Sequence, residues 1–287
     1  MRRTKAYLTV FRLMKEKELI QSSLNGDKKS LESLIHSVQG LVFNLSIRFL
    51  WSRDDAEDAT QEIMIRVITN LSKFDGRSKF STWVYRVATN YLLDLKRTNA
   101  EKSVTSFEAF GESLLQLHGP VDYNLPDRKL MEEELKTGCT LAMLQCMDRD
   151  LRVAFILGSV MKIRSTTAAE IAETTPENFR KRLEKARRLI RSFLDGHCGV
   201  FNPQNKCRCS NRINSALACG LINKKKLNFV GQVDKFNEEM EEIHSLEGIF
   251  HNHGRFRSSR DIIAQVNEIL ATKEVVNYNS TKPLAED

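Results

Sequence analysis

The stretch Ala168-Ala169-Glu170-Ile171-Ala172-Glu173-Thr174-Thr175-Pro176-Glu177-Asn178-Phe179-Arg180-Lys181-Arg182-Leu183 reads as a short helix, a tight turn and the opening of a longer helix. Thr175 is a natural N-cap, and Pro176 suits the first helical position, where its missing N–H costs nothing. Downstream, Phe179, Leu183, Ala186 and Ile190 recur at three- and four-residue spacing and define one apolar face. Arg180, Lys181, Arg182, Lys185, Arg187, Arg188 and Arg191 crowd the remainder, with Glu184 the sole acid among them. Two helices joined by a tight turn form a helix-turn-helix unit. Its second helix would place Glu177, Asn178, Arg180 and Lys181 near base edges and the other cations near phosphates. A solvated basic face or a calmodulin-type target helix would share the charge pattern. The preceding helix and turn favour DNA.

Working outward, nearly every segment has helical period. Helices are expected at about 126–145, 148–160, 166–172 and 176–194, forming a central unit over 126–195. Upstream, Asn25-Gly26-Asp27 is a turn, and Asp27 caps a helix running to about Trp51. Asp54 or Asp55 starts the next, with Ala56, Ala59, Ile63, Val67 and Leu71 on its apolar side. Ser78 is the expected cap of a helix over about 79–97, with Phe80, Trp83, Val84, Val87, Tyr91 and Leu95 on one face. These helices make an amino-terminal bundle over 16–98. Between the units, Asn99, Ser103, Ser106, Gly111, Gly119 and Pro120 interrupt any period, so 99–125 reads as a flexible linker.

Two features of the bundle suggest surfaces. Asp54, Asp55, Glu57, Asp58 and Glu62 load the first half of one helix, which either answers the helix dipole or docks on a basic protein. Phe80, Trp83, Tyr85 and Tyr91 interleave with Arg77, Lys79, Arg86, Lys96 and Arg97. That mixture suits unstacked single-stranded bases, although such aromatics, Trp83 above all, also serve as core.

Residues 55–62 (DAEDATQE), Lys73-Phe74-Asp75-Gly76 and Phe80-Ser81-Thr82-Trp83-Val84-Tyr85-Arg86-Val87-Ala88-Thr89-Asn90 with Asp94 and Arg97 resemble region two of extracytoplasmic-function sigma factors. The segment from Leu151 through the helix-turn-helix to Arg188 resembles region four of the same family. The two resemblances occur in the family's order, with a linker between. They imply an all-α protein that binds core RNA polymerase and directs promoter-specific initiation. The resemblance assigns polymerase docking to Asp58, Gln61 and Glu62, with Arg66 nearby. It assigns the melted minus-ten element to Arg77, Ser78, Lys79, Asn90, Asp94 and Arg97. Duplex minus-thirty-five DNA falls to the second helix of the helix-turn-helix, through Glu177, Asn178, Arg180, Lys181, Arg182, Lys185, Arg187 and Arg188. The places of two strand-separating tryptophans of primary sigma factors hold Arg86 and Val87, as in the minimal branch. Many relatives carry Gly in the turn where this chain has Glu173, a position that often takes a left-handed backbone.

The chain has 287 residues, a formal charge of +7 and 41% hydrophobic residues, which fits one to three globular units and a polyanionic partner. The amino terminus, rich in Arg and Lys, reads as a leader or first helix and not a signal peptide; no run spans a bilayer, so no membrane insertion and a cytoplasmic location are expected. No nucleophile–base pair, phosphate loop or HExxH motif points to an enzyme. The partners implied are core RNA polymerase and promoter DNA, with an anti-sigma factor a further candidate. The alternative is a conventional helix-turn-helix regulator that binds duplex DNA without polymerase.

Residues 196–276 form an extension of helical character containing cysteines. His197, Cys198, Cys207 and Cys209 supply four donors, enough for a tetrahedral zinc site, while free thiols in a small tail explain them equally. The pattern Cys-Gly-x3-Pro-x3-Cys-x-Cys resembles a tail on some relatives. Val233 to about His251 reads as an amphipathic helix. Ser258 or Ser259 is expected to cap another, with Ile262, Ile263, Val266, Ile269 and Leu270. The pair could fold back on either domain and regulate it, or could instead bind a separate regulator. From about Asn277 the chain is expected to be disordered.

Overall fold

A computed structural model describes residues 15–95, 106–116, 127–223, 225, 227–229 and 256–272. The described residues are helical, apart from turns, loops and an isolated bridge between Cys198 and Cys207. A helical segment over 15–24 precedes α1 (Lys28–Leu50), α2 (Arg53–Thr69) and α3 (Phe80–Asp94). Then come α4 (Phe107–Gln116), α5 (Arg128–Gln145), α6 (Arg149–Phe155), α7 (Ser165–Ile171), α8 (Pro176–His197), α9 (Ile213–Ala218) and α10 (Ile262–Thr272). The expected Val233–His251 helix, Lys96, Arg97 and the stretch from Asn277 lie outside the described residues.

Local chemistry accounts for most boundaries. Asp27 accepts the Ser30 amide at 3.2 Å and caps α1. Ser52, rather than Asp54 or Asp55, caps α2, accepting from the Asp55 amide at 3.3 Å. Ser78 does not cap α3. The Phe80 amide instead donates to the Glu16 carboxylate at 3.3 Å, so a residue 64 positions away satisfies the orphan donor. Thr175 accepts the Asn178 amide at 3.2 Å and Pro176 opens α8, as its sequence dictates. After α6 the helix widens into a π turn over 156–160.

α1, α2 and α3 pack through Val42, Phe43, Leu45, Ala56, Ile63, Val84, Ala88 and Leu92, all essentially excluded from water. α6, α7 and α8 pack through Phe155, Ile171, Phe179 and Ile190. The two cores are continuous. Arg152, buried on α6, donates to the Phe49 carbonyl at the end of α1 at 2.8 Å and to the Leu144 carbonyl at 2.9 Å. Arg149 reaches the Leu93 carbonyl near the end of α3 at 2.9 Å. These arginines, with the Gln145 side-chain amide that also donates to the Phe49 carbonyl at 3.2 Å, satisfy helix-terminal carbonyls at the junction.

The presumption of a wholly irregular connection over 99–125 is corrected by α4. Phe110 stacks on Phe193 of α8 and Phe107 lies tilted against it, both with ring centroids 5.3 Å away. Gly111 looked like a break, yet it lies inside the helix because its neighbour leaves no room: a Cβ there would lie 2.5 Å from Nε2 of His197.

The extension also folds onto the bundle. α10 packs against α2 and α1, burying Ile262 and Val266. Ser258 and Ser259 do not cap it; Asp261 does, accepting the Ala264 amide at 3.0 Å. Among the described residues, no helix is long and apolar enough to cross a membrane.

Candidate nucleic-acid interface

The acidic side of α2 is split by depth. Glu57 is buried, whereas Asp54 and Asp58 face outward. One turn further on, Glu62 pairs with Arg66 at 3.4 Å, and the Arg66 guanidinium lies 4.7 Å above the Tyr91 ring. Asp58, Glu62, Arg66, Tyr91 and Asp94 thereby line one shallow hollow between α2 and α3. Gln61 is half-exposed beside it. The sequence-derived docking residues are thus gathered on one face, with Asp94, assigned to DNA, at its edge.

The loop before α3 is ordered by Asp75. Its carboxylate accepts the Arg77 amide at 3.0 Å and pairs with the Arg77 guanidinium at 2.5 Å. These hydrogen bonds to Arg77 hold the Asp75 carboxyl below its usual pKa. Lys79 is exposed and Ser78 half-exposed. Behind them Phe74, Phe80 and Trp83 form a ring cluster with centroids 5.5 to 5.8 Å apart, so Trp83 serves mainly as packing.

On α8, Glu177, Asn178, Arg180, Lys181, Lys185 and Arg188 are exposed. Glu177 and Lys181 pair one turn apart at 2.8 Å, leaving both at the surface. Arg182 and Arg187 are less free. Arg182 pairs with Asp150 of α6 at 3.0 Å, and Arg187 donates to the Ser159 hydroxyl at 2.8 Å. Both tie the basic helix to its own domain. Glu173 adopts the left-handed conformation, φ 47°, that its place in the turn demands.

The two surfaces meet. Arg86 of α3 pairs with Glu170 of α7 at 2.7 Å, and the Asn90 amide donates to the Glu173 carboxylate at 3.0 Å. Asn90, one of the minus-ten residues by resemblance, is therefore engaged by the turn of the helix-turn-helix.

The cysteine end departs from expectation. The His197 ring stacks on Phe193, centroids 4.7 Å apart, with Nδ1 3.2 Å from the Phe193 carbonyl, and its other edge meets Gly111. It is committed to the α4–α8 contact and not to the thiols. Cys139 of α5 lies in the electrostatic neighbourhood of Cys198, Cys207 and Cys209. Burial raises the Cys139 thiol above its normal pKa, and Cys209, Cys198 and Cys207 raise it further by like charge. Burial and the same neighbours push Cys209 up to about 12. The Gly199 amide donates to the Cys207 carbonyl at 3.0 Å, and a Cβ on Gly199 would lie 2.5 Å from that oxygen. Among the described residues, no three His, Cys, Asp or Glu side chains stand in metal-holding geometry. Cys139 was invisible to spacing because it lies 59 positions before Cys198.

Residues 34–102 match the family model for sigma-70 region 2. The RNA polymerase sigma-H factor of Pseudomonas aeruginosa is 27% identical over 183 residues, which cover 62% of this chain and 93% of that protein. SigW of Bacillus subtilis, an ECF RNA polymerase sigma factor, is 26% identical over 62% of this chain and 96% of its own. The ECF RNA polymerase sigma-E factor of Escherichia coli K12 is 28% identical over 60% and 90%.

Over about three-fifths of its length the chain is similar to extracytoplasmic-function sigma factors.

About three-fifths of this chain covers nearly the whole length of these relatives, so the chain is longer than they are. The region 2 match takes in most of α1 together with α2 and α3, and the helix-turn-helix unit is α7 and α8.

Proposed function

We infer that this sigma factor binds core RNA polymerase and directs it to promoters, acting by binding and not by catalysis, in the compartment where polymerase works, the cytoplasm. The observation that carries the reading is the gathering of Asp58, Glu62, Arg66, Tyr91 and Asp94 on one face of region two. Such a face presents carboxylates at fixed helical spacing to a basic partner, and its far edge adjoins the strand-reading helix. Melted minus-ten DNA would run over Arg77, Ser78, Lys79, Asn90, Asp94 and Arg97. The exposed α8 residues Glu177, Asn178, Arg180 and Lys181 would meet base edges of the minus-thirty-five duplex, with Lys185 and Arg188 on phosphates. Arg182 and Arg187 contribute by holding α8 on α6 and the π turn. An anti-sigma partner would use the same region-two face.

Changing Gln61 and Glu62 together to Ala is expected to abolish association with core RNA polymerase in a pull-down while leaving the circular dichroism melt unchanged. Retained association would remove the docking role. Promoter-selective transcription with sigma-free core polymerase tests the whole reading. Tight duplex binding without polymerase, and no initiation with it, would favour the conventional regulator.

At the cysteine end no three donors stand in metal-holding geometry among the described residues, so a zinc site would need Cys139, Cys198, Cys207 and Cys209 to rearrange around the ion. Four thiols suit zinc, whose charge would lower the pKa values that burial and mutual repulsion now raise. The thiols must draw together to hold it. Protein purified without chelator is expected to lose zinc on Cys207→Ser or Cys139→Ser and to keep it on His197→Ala. Equal metal content in all three would end the zinc reading.

A further inference from the structure

The extension reaches region two through a small set of matched polar contacts. Asn44, buried in the middle of α1, uses both halves of its amide on one residue of the tail. Its Nδ2 donates to the Phe256 carbonyl at 2.8 Å, and its Oδ1 accepts the Phe256 amide at 2.9 Å. The Phe256 ring is buried beneath the Arg48 guanidinium, 4.8 Å from its centroid. On α2, Arg53 donates to the carbonyls of Asn228 at 3.0 Å and Arg257 at 2.5 Å. Glu57, only 2% exposed, accepts the Ser259 amide and hydroxyl, both at 2.7 Å, and the Ser258 hydroxyl at 3.2 Å, and pairs with Arg260 at 3.0 Å. Arg260 reaches outward to Asp58 as well, with Asp54 4.0 Å away. α10 then buries Ile262 and Val266 against the same helices, and Asn267 donates to Glu32 at 3.2 Å.

A buried carboxylate and a buried carboxamide are costly unless matched by donors and acceptors of the right geometry. Here the tail supplies that match: hydroxyl, amide and guanidinium for Glu57, and a full peptide unit for Asn44. The seat on α1 and α2 is built for this segment. It also overlaps the docking face, because Asp58 is shared: it lines the hollow with Glu62 and Arg66, and it holds Arg260.

We propose that residues 256–272 are a built-in occupant of the polymerase-docking surface of region two, so that core RNA polymerase and the tail compete for α2. The proposal rests on the docking reading of Asp58, Gln61, Glu62 and Arg66. The tail answers the acidic helix with Arg260 and two serine hydroxyls, the chemistry that a basic polymerase surface would have to offer in its place. Apparent affinity for polymerase is then the intrinsic affinity reduced by the fraction of molecules whose tail is away.

The test uses the full chain and measures binding to sigma-free core RNA polymerase. Arg260→Glu sets a like charge against Asp54, Glu57 and Asp58. Val266→Asp loosens α10 from the opposite side without touching the acidic face. Both are expected to bind core polymerase about ten-fold more tightly than the parent, the gain for a face covered about nine-tenths of the time. Arg260→Lys, which keeps the charge, should stay near the parent. Equal or weaker binding by both variants overturns the proposal and leaves the docking reading in place. No binding by the parent or either variant overturns the docking reading, and the proposal with it.

Discussion

At the scale of single residues, the turn of the helix-turn-helix holds its geometry at a cost. Glu173 is left-handed, where a Cβ crowds the following carbonyl, and its carboxylate meets Asn90 across the junction. Glu173→Gly is expected to raise the thermal midpoint, by up to about 1 kcal/mol of stability, as the strain is relieved. The same change should free Asn90. A lower midpoint would show that the Asn90 contact outweighs the strain. Gly111→Ala should act in the opposite sense, lowering stability by about 1–3 kcal/mol in a urea melt, because its methyl group would strike the His197 ring. The cysteines offer a chemical check. Cys219 is exposed, while burial pushes Cys146 and Cys209 up to about 12. Brief alkylation near neutral pH, read by mass spectrometry, is expected to modify Cys219 first.

Among whole elements, legibility follows the distance between cause and effect. The bounds of α7 and α8 were readable within a few residues because Thr175, Pro176 and the apolar spacing act locally. α3 was readable as a helix, but its cap was not, since Glu16 supplies it from far away in sequence. α4 was missed because Gly111 looks like a breaker until the ring of His197 is known to lie against it. The face proposed for docking was visible in the sequence as an acidic helix side; that Glu57 faces inward toward Ser258 and Ser259 was not, because no local signature marks a carboxylate buried by a segment some 200 positions later. Glu57 carries a pH signature. Burial pushes its carboxyl up, but the Ser259 hydroxyl and amide, Arg53 and Ser258 outweigh that and hold it below the usual value. A depressed folded-state pKa gives stability that is present above the unfolded pKa and lost as pH falls through the folded one. The stability gap between the parent and Ser259→Ala, from urea melts, should therefore be full at neutral pH and shrink below about pH 4. A gap independent of pH would separate Ser259 from the Glu57 charge.

Taken as a whole, the described residues include two closures of functional interest, α3 against α7 and α10 against α2. The first closure sets Asn90 and Arg86 against the helix-turn-helix, so the two surfaces proposed to read DNA would not reach separated promoter elements in this arrangement. Arg86→Glu should open it, seen as a larger radius of gyration in small-angle scattering, and Glu170→Arg in the same chain should restore the compact value. An unchanged radius in Arg86→Glu would mean that the Arg149 and Arg152 contacts suffice to hold the domains together.

The order of the chain gives the second closure a direction in time. Arg53 and the Arg257 that it holds are 204 positions apart, and the ribosome makes α2 first. At typical synthesis rates of about 5–20 residues per second, the docking helix emerges roughly 10–40 seconds before the segment that covers it. On the proposed competition, a newborn molecule would meet polymerase with its acidic face bare, and a finished one would meet it covered. The age of the polypeptide, as well as its abundance, would then bear on how readily it enters the holoenzyme.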